Sequence, residues 1–540
     1  MKKRWKLGLL LAALTVFMLQ LTVSAAGRPL NTFFCYIAEN QVNVITVGSA
    51  TGDDGQYYLF ALKPYETGVG SRTDYCATVP AADMAHFIVP LDLNTASSKL
   101  YSRFVVTVRQ NGVYVPVSTE MYITNPEAVA TASTVSIAEA TGNKKGIYTG
   151  WQHAADISTL GAGYVVDQFD ATYFLNGGGF PYEYNGKVYD FSAREVAAAD
   201  IKVQTYNAQN VDLVMMILNS NRNGGGSQDL VYPAATAGVA KGSANPNMYA
   251  FNVSSQAGEE KLEAWVSFLA ERYNGGPGSV GSVHHFIIGN EVNSSYAWHY
   301  AGDISEEEFY KEYAKQFRVC YNAIKSHNAG AKVYTCIDQC WTHIDTGHPK
   351  SSYSGKRIMD GFNNEIKSTG NINWGLSFHP YSVPLMHTKF WTTKAGYQGL
   401  VKNSENTKMV TPMNLDVVTN YFTKPEFFAP ADSVSLAQGG VRDIIISELG
   451  FNSSAVSADT DENVQAAAIV YAYKLATSNP HIKAVMINNV IDNAEEVAQG
   501  LAMGLKRADG TPKPAYTAYM QMDGGDTNYL LPYVGLSRWP

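Results

Sequence analysis

Two glutamates stand where a buried β-run gives way to a loop. Glu291 lies in Gly289-Asn290-Glu291-Val292-Asn293, directly after the apolar residues 285–288. Glu448 lies in Ser447-Glu448-Leu449-Gly450-Phe451, directly after residues 443–447. A surface turn or a helix N-cap accounts for one such carboxylate more easily than for two. Paired carboxyls are what glycosidic bond cleavage needs: one protonates the leaving oxygen, and the other stabilises or attacks the oxocarbenium-like centre. A separation of about 5–5.5 Å between them means a covalent intermediate and retained configuration. Further polar side chains follow other apolar runs. Asn219, Asp338, His379, Tyr381 and Asn488 each do so, with Asn489 beside the last. Asp338 is open to two readings, substrate ligand or capping residue, and His379 to a structural one. Trp298, Trp341 and Trp391 fall on the loops after these runs, where an indole can stack on a sugar ring or pack into the core.

These residues share one placement because of the rhythm of the chain. Apolar runs at 145–148, 163–167, 211–218, 285–288, 332–337, 374–378, 443–447 and 482–488 alternate with helical segments, among them 154–160, 193–207, 259–273, 305–327, 463–477 and 514–522. Ser305 caps its helix, with Glu307 and Glu308 in the first turn. Strand–helix alternation is the mark of a parallel sheet, and eight repeats predict a closed (β/α)₈ TIM barrel whose carboxyl-end loops carry the reactive groups. No Gly-x-Gly-x-x-Gly follows the first run, so a dinucleotide fold loses its main support.

Ahead of the barrel, residues 31–124 read as short strands (42–47, 56–62, 86–89, 103–108 and 113–117) with turns at 51–55 and 110–112. The expected fold is therefore α/β, a TIM barrel preceded by a small all-β sandwich. Its expected divisions are an export leader at 1–26, the sandwich at 27–125, a linker at 126–141 and the barrel at 142–540. The leader has Lys2, Lys3, Arg4 and Lys6, then an apolar stretch, then Ser24-Ala25-Ala26. Long loops at 221–252 and 382–440 are expected to shape the cleft.

Composition limits the partners. The formal net charge is −8, and −12 without the four basic leader residues, which argues against a nucleic-acid backbone. Only 16% of residues are charged while 34 are tyrosine, a surface suited to neutral polyhydroxylated ligands. No segment after the leader is apolar enough to span a bilayer. Cys35 and Cys76 could bridge after export. Cys336-x₃-Cys340 lacks the second pair a zinc site needs, so Cys320, Cys336 and Cys340 read as packed thiols. Neither metal nor cofactor is expected.

The segments around the two glutamates also carry a family resemblance. Phe286-Ile-Ile-Gly-Asn-Glu-Val-Asn293 resembles the strand-four Asn-Glu motif of the clan A glycoside hydrolases, and Ile444-Ile-Ile-Ser-Glu-Leu-Gly-Phe451 that clan's strand-seven nucleophile segment. The match covers about the last 400 residues. More closely, Tyr182-Glu-Tyr-Asn-Gly-Lys-Val-Tyr189 and Phe378-His-Pro-Tyr381 resemble an uncharacterised group of secreted bacterial proteins in that clan. The resemblance implies Glu291 as general acid/base and Glu448 as nucleophile. It implies Asn290 on the hydroxyl next to the anomeric carbon, and Tyr381 or His379 donating to Glu448. Three departures stand out: Val292 where proline is usual, Asn488-Asn489 in place of a tryptophan, and Asp167 and Asp170 where many members place arginine. A carbohydrate-binding barrel without turnover is the alternative reading. A metal-dependent barrel hydrolase would want His-x-His on the first strand, which is missing.

Overall fold

The computed structural model describes residues 28–221, 228–241, 245–454 and 461–540. The expected leader lies outside the described residues, as do parts of the 221–252 loop.

The N-terminal region forms two antiparallel sheets from β1 (Leu30–Ala38), β2 (Gln41–Gly48), β3 (Gln56–Leu62), β4 (Ala77–Pro80), β5 (Met84–Pro90), β6 (Arg103–Gln110), β7 (Val113–Pro116) and β8 (Met121–Tyr122). One sheet has the order β1-β2-β5; the other is β4-β3-β6-β7, with β8 also on β6. Alternate residues of β3 and β6 (Tyr57, Leu59, Phe104, Val106 and Val108) face the main core. Tyr58, Phe60 and Val105 form a small aromatic-rich cluster on the other face, the period-2 pattern of strands covered on both sides. Cys35, Cys76 and the other three cysteines are free, so the expected bridge is not formed.

The barrel strands are β9 (Lys145–Tyr148), β10 (Tyr164–Asp170), β13 (Asp212–Leu218), β14 (His285–Ile288), β15 (Lys332–Asp338), β16 (Gly375–His379), β17 (Ile444–Leu449) and β18 (Ile482–Asn488). β11 (Gly179–Tyr184) and β12 (Lys187–Ser192) form an inserted hairpin across Asn185-Gly186, both with positive φ. All eight barrel strands pair in parallel and close, β18 returning to β9. One principal helix follows each: α1 (Ala154–Leu160), α2 (Ala193–Asn207), α3 (Gln256–Arg272), α4 (Glu306–His327), α5 (Gly355–Ser368), α6 (Asp416–Phe422), α7 (Glu462–Ser478) and α8 (Pro514–Gln521). Ser305 does cap α4, accepting from the Glu308 amide.

Alternation decides which strand residues point into the barrel. Tyr164, Val166, Val214, Met216, Leu218, Ile287, Tyr334, Cys336, Ile445, Ala484 and Met486 form the packed interior, with Tyr148 and Trp298 against it. Val165, Leu213, Met215, Phe286, Ile288, Val333, Ile337, Ile444 and Ile446 face the helices. The barrel is thus filled by side chains in layers, not hollow.

The segment read as a linker is structured. It holds a 3₁₀ turn (Pro126–Val129) and a short helix (Ile137–Thr141) whose Ala138 packs into the barrel interior. Asp212, at the start of β13, accepts from Ser136 Oγ (2.7 Å) and Ala138 N (2.6 Å) and pairs with His284 (2.8 Å). This staple closes the amino end of the barrel. Among the described residues no helix is long and apolar enough to cross a membrane.

Candidate active site

β14 is only four residues long, and the backbone just beyond it determines where Glu291 points. Gly289 has φ +78°, and a Cβ there would sit 2.7 Å from the His299 ring. Glycine is therefore required at this position on both conformational and steric grounds. Glu291 itself is left-handed (φ 39°, ψ 53°), a conformation few non-glycine residues adopt. It occupies the N-cap position of the 3₁₀ turn Val292–Ser294, a turn that residue types do not signal, yet its carboxylate caps nothing. The carboxylate turns instead into the barrel mouth.

Asp338, at the end of β15, fixes that turn. Its Oδ1 accepts from Asn293 Nδ2 (2.5 Å) and Cys340 N (2.8 Å), its Oδ2 accepts from Ser294 Oγ (2.6 Å), and its own amide donates to Asn293 Oδ1 (3.0 Å). With both oxygens engaged and the residue buried, Asp338 anchors the Glu291 loop. Of its two open readings the structure favours the capping one over a substrate ligand.

Glu448 reaches the mouth through a different device. The pairing of β17 with β18 slips between Ile446 and Leu449, which face Val485 and Ile487. The extra residue is a β-bulge. Strict alternation would place Ser447 inward and Glu448 toward the helices. With the bulge, Ser447 Oγ touches His379, Glu448 reaches Tyr381, and Leu449 returns to the outer core. Adjacent residues therefore both serve the mouth.

The two glutamates meet around one imidazole. His379, fully buried at the end of β16, has Nδ1 2.9 Å from Glu291 Oε1 and 3.8 Å from Glu448 Oε2. Those two distances together hold the oxygens to at most about 6.7 Å apart. That ceiling on one oxygen pair is compatible with the spacing of about 5–5.5 Å between the carboxyls of retaining glycosidases. Tyr381 donates to Glu448 Oε1 (2.5 Å), and Asn488 Nδ2 donates to the same oxygen and to the Tyr381 hydroxyl (both 3.2 Å). Of the two residues expected to hold Glu448, Tyr381 does so, whereas His379 holds Glu291.

Burial and neighbouring charges set the protonation of Glu291, His379 and Tyr381. Burial pushes the Glu291 carboxyl up to about 7, and Asp338 and Glu448 add to the rise against the lowering effect of His379. Burial works to strip the proton from His379, but facing Cys336, Glu448 and Glu291 it is held well above the usual imidazole range. Burial and Glu448 raise the Tyr381 hydroxyl well above the ordinary range, so it stays a donor.

The remaining candidates divide. Asn290 is 7% exposed at the mouth, its Oδ1 3.9 Å from Cys336 Sγ. Trp298 is half-buried against the barrel interior at the same end and stays a stacking candidate. Trp341 does not: it is fully buried, its Nε1 donates to Glu405 O (3.1 Å), and its ring meets Tyr421 edge-on. The loop at 405–409 lies over it, so it is core. Trp391 lines a cavity of about 230 Å³ together with Phe390, Tyr397 and Met413. Asn219 is buried, donating to Leu230 O (3.1 Å) and shaping the loop after β13. Asp167 pairs with Lys202 (2.9 Å), and Asp170 accepts from the Thr172 amide at the start of a short helix, so both are structural.

Sequence reasoning took Cys336 only as a packed thiol and passed over Ser377 and Ser447, all three buried within this network. Cys336 Sγ lies 3.4 Å from both His379 Nε2 and the Glu291 amide, and Ser447 Oγ lies 2.8 Å from His379 Nε2 and 2.5 Å from Ser377 Oγ. Period-2 counting back from Asp338 and His379 would have turned Cys336 and Ser377 inward; the bulge hid Ser447. Among the described residues no three His, Cys, Asp or Glu side chains are grouped to hold a metal ion.

Fold and site together define a closed parallel (β/α)₈ barrel with a carboxylate pair gathered at its carboxyl end. Residues 138–540 match the model of a family of unknown function, DUF5722, and the chain belongs to that family. No curated protein matches it. Similar solved structures include a family 39 glycoside hydrolase from Bacteroides cellulosilyticus WH2, at 14% identity and TM-score 0.44 over 88% of this chain and 78% of that one. A glucosidase from Croceicoccus marinus is 12% identical, with TM-score 0.42 over 73% of this chain and 68% of its own. A monomeric β-xylosidase from Caulobacter crescentus CB15 is 14% identical, with TM-score 0.41 over 74% and 70%. At such distances neither substrate nor mechanism carries over.

Proposed function

We propose that the protein is an exported, retaining glycoside hydrolase of the clan A type, with carbohydrate as its substrate. The observation that carries this reading is the placement of Glu291 and Glu448 about one imidazole, with the Glu291 carboxyl pushed up to about 7. A group titrating there holds a proton at neutral pH and can release it, as a general acid must.

The steps are set by the atoms present. Glu448, oriented by Tyr381 and Asn488, attacks the anomeric carbon as a carboxylate while Glu291 gives its proton to the departing oxygen. The C–O bond to the leaving group breaks as the glycosyl ester forms. Glu291, now ionised, takes a proton from water, whose oxygen attacks the anomeric carbon and expels Glu448. Asn290 is suited to the hydroxyl beside the anomeric carbon, and Trp298 to the face of a sugar ring.

A panel of aryl glycosides and polysaccharides, offered to wild type and to Glu448→Gln, tests this. Hydrolysis by wild type, lost by at least 10³-fold in Glu448→Gln with binding retained, supports the reading. Binding without hydrolysis in both proteins would instead make the barrel a carbohydrate receptor.

A further inference from the structure

Every nitrogen of the His379 ring is engaged, although the ring is fully buried. Nδ1 faces the carboxylates, while Nε2 faces Ser447 Oγ at 2.8 Å and Cys336 Sγ at 3.4 Å. Ser447 Oγ continues to Ser377 Oγ at 2.5 Å. Cys336 also receives the Glu291 amide at 3.4 Å and approaches Asn290 Oδ1 at 3.9 Å. One sulfur thus touches the ring that carries Glu291, the backbone of Glu291 and the side chain of its neighbour. Packing alone would be satisfied by alanine or valine at an interior barrel position.

We propose that Cys336 and Ser447 are positioning residues that occupy Nε2 of His379 so that its Nδ1–H is directed at Glu291. This inference rests on the glycosidase reading for its kinetic consequence but not for its geometry. A proton on Nδ1 favours the ionised Glu291 carboxyl and opposes the rise caused by burial. With both Nε2 partners gone, the charged ring loses the acceptors of its Nε2–H and gives up its charge more readily, so Glu291 loses a facing cation. Its proton affinity then rises. The charged and titratable groups facing Glu291 are His379, Asp338, Glu448 and Cys336, with Tyr296, Cys340 and Tyr381 farther out. None of the others changes in the variants considered.

The test is the alkaline limb of kcat/KM against pH in Cys336→Ala, Cys336→Ser and Ser447→Ala. The limb is expected to move upward by roughly half to one pH unit in each alanine variant. It should return toward wild type in Cys336→Ser, whose hydroxyl again meets Nε2. In a His379→Gln background, Cys336→Ala should leave the limb unmoved, because the coupling runs through the ring. An unmoved limb with a lowered melting temperature in Cys336→Ala would make the thiol a packing residue and overturn the inference. Should wild type hydrolyse no glycoside, the function fails separately. ¹⁵N spectra of histidine-labelled protein then decide this point, with the His379 signals identified by their loss in His379→Gln. Altered His379 protonation in Cys336→Ala and Ser447→Ala upholds it, and an unchanged ring refutes it.

Discussion

At the scale of single residues, the site is a set of side chains made unlike by their surroundings. Glu291 and Glu448 are chemically identical side chains held by different partners, and burial with the neighbouring Asp338 and Glu448 carboxylates lifts Glu291 to about 7. The alkaline limb of kcat/KM is therefore expected near pH 7: activity is full below that value, where Glu291 keeps its proton, and falls as pH rises through it. A limb set above 9 would contradict this assignment. Asp338 offers a second test. Asp338→Asn removes a carboxylate that both raises Glu291 and accepts from Asn293, Ser294 and the Cys340 amide. It is expected to lower kcat/KM by about 10–100-fold through misplacement of Glu291 and to shift the alkaline limb downward. Loss of rate with the limb in place would mean that only the loop had moved. Residue types and their place after apolar runs singled out Glu291, Glu448, Tyr381 and Asn488, which the fold brings within one hydrogen-bonded cluster. They left Trp341 open between stacking and core packing, because whether a loop tryptophan is open depends on a second loop 64 positions along the chain folding over it.

At the scale of elements, the eight barrel strands were legible almost to the residue, since each is an apolar run between helices. β9, β14 and β18 have the expected limits, and the others differ by a few positions at most. What the pattern could not reveal is the bulge in β17, because a register slip leaves the sequence looking like an ordinary strand. Its consequence is that Ser447 and Glu448 both face the mouth. Strands β1, β4 and β8, the β11–β12 hairpin, and α5 and α6 inside long connections were also missed. Helix α3 carries a prediction of its own. Glu263 and Glu259 are buried one turn apart on it, and burial followed by the Glu259 charge holds the Glu263 carboxyl well above its usual range. A carboxyl raised in the folded state contributes its full stability below the unfolded value and loses it as pH climbs toward the folded one. Glu263→Gln imitates the protonated form, so it should stabilise the protein progressively above about pH 5, by about 1.4 kcal/mol for each pH unit within that window. Melting temperatures at pH 5 and pH 8 check this; an equal effect at both would contradict a raised Glu263 carboxyl.

At the scale of the whole molecule, the N-terminal sheets are bound to the barrel by specific contacts. Leu100 O accepts from Asn322 of α4 (2.9 Å), and the Tyr101 hydroxyl meets Tyr184 (2.7 Å) and Ser267 of α3 (3.2 Å). The buried Arg318 guanidinium lies 5.2 Å from the centre of the Tyr122 ring. Removing residues 28–125 would open Arg318, Asn322 and the Glu259–Glu263 pair to water while stripping apolar cover from α3 and α4. The barrel alone is therefore expected to melt at least 5 °C lower or to aggregate. An isolated barrel with unchanged melting temperature would reduce the sheets to a spacer. The two-layer β region was legible as such from its turns and alternation, but its seat on the barrel was not, because those contacts join residues more than 80 positions apart.

The most direct test of the carboxylate pair is azide rescue of Glu291→Ala on an activated aryl glycoside. With the acid/base removed and Glu448 intact, added azide should restore turnover and release a glycosyl azide of the same anomeric configuration as the substrate. An azide product of opposite configuration, or no response to azide while Glu448→Gln remains active, would contradict the account.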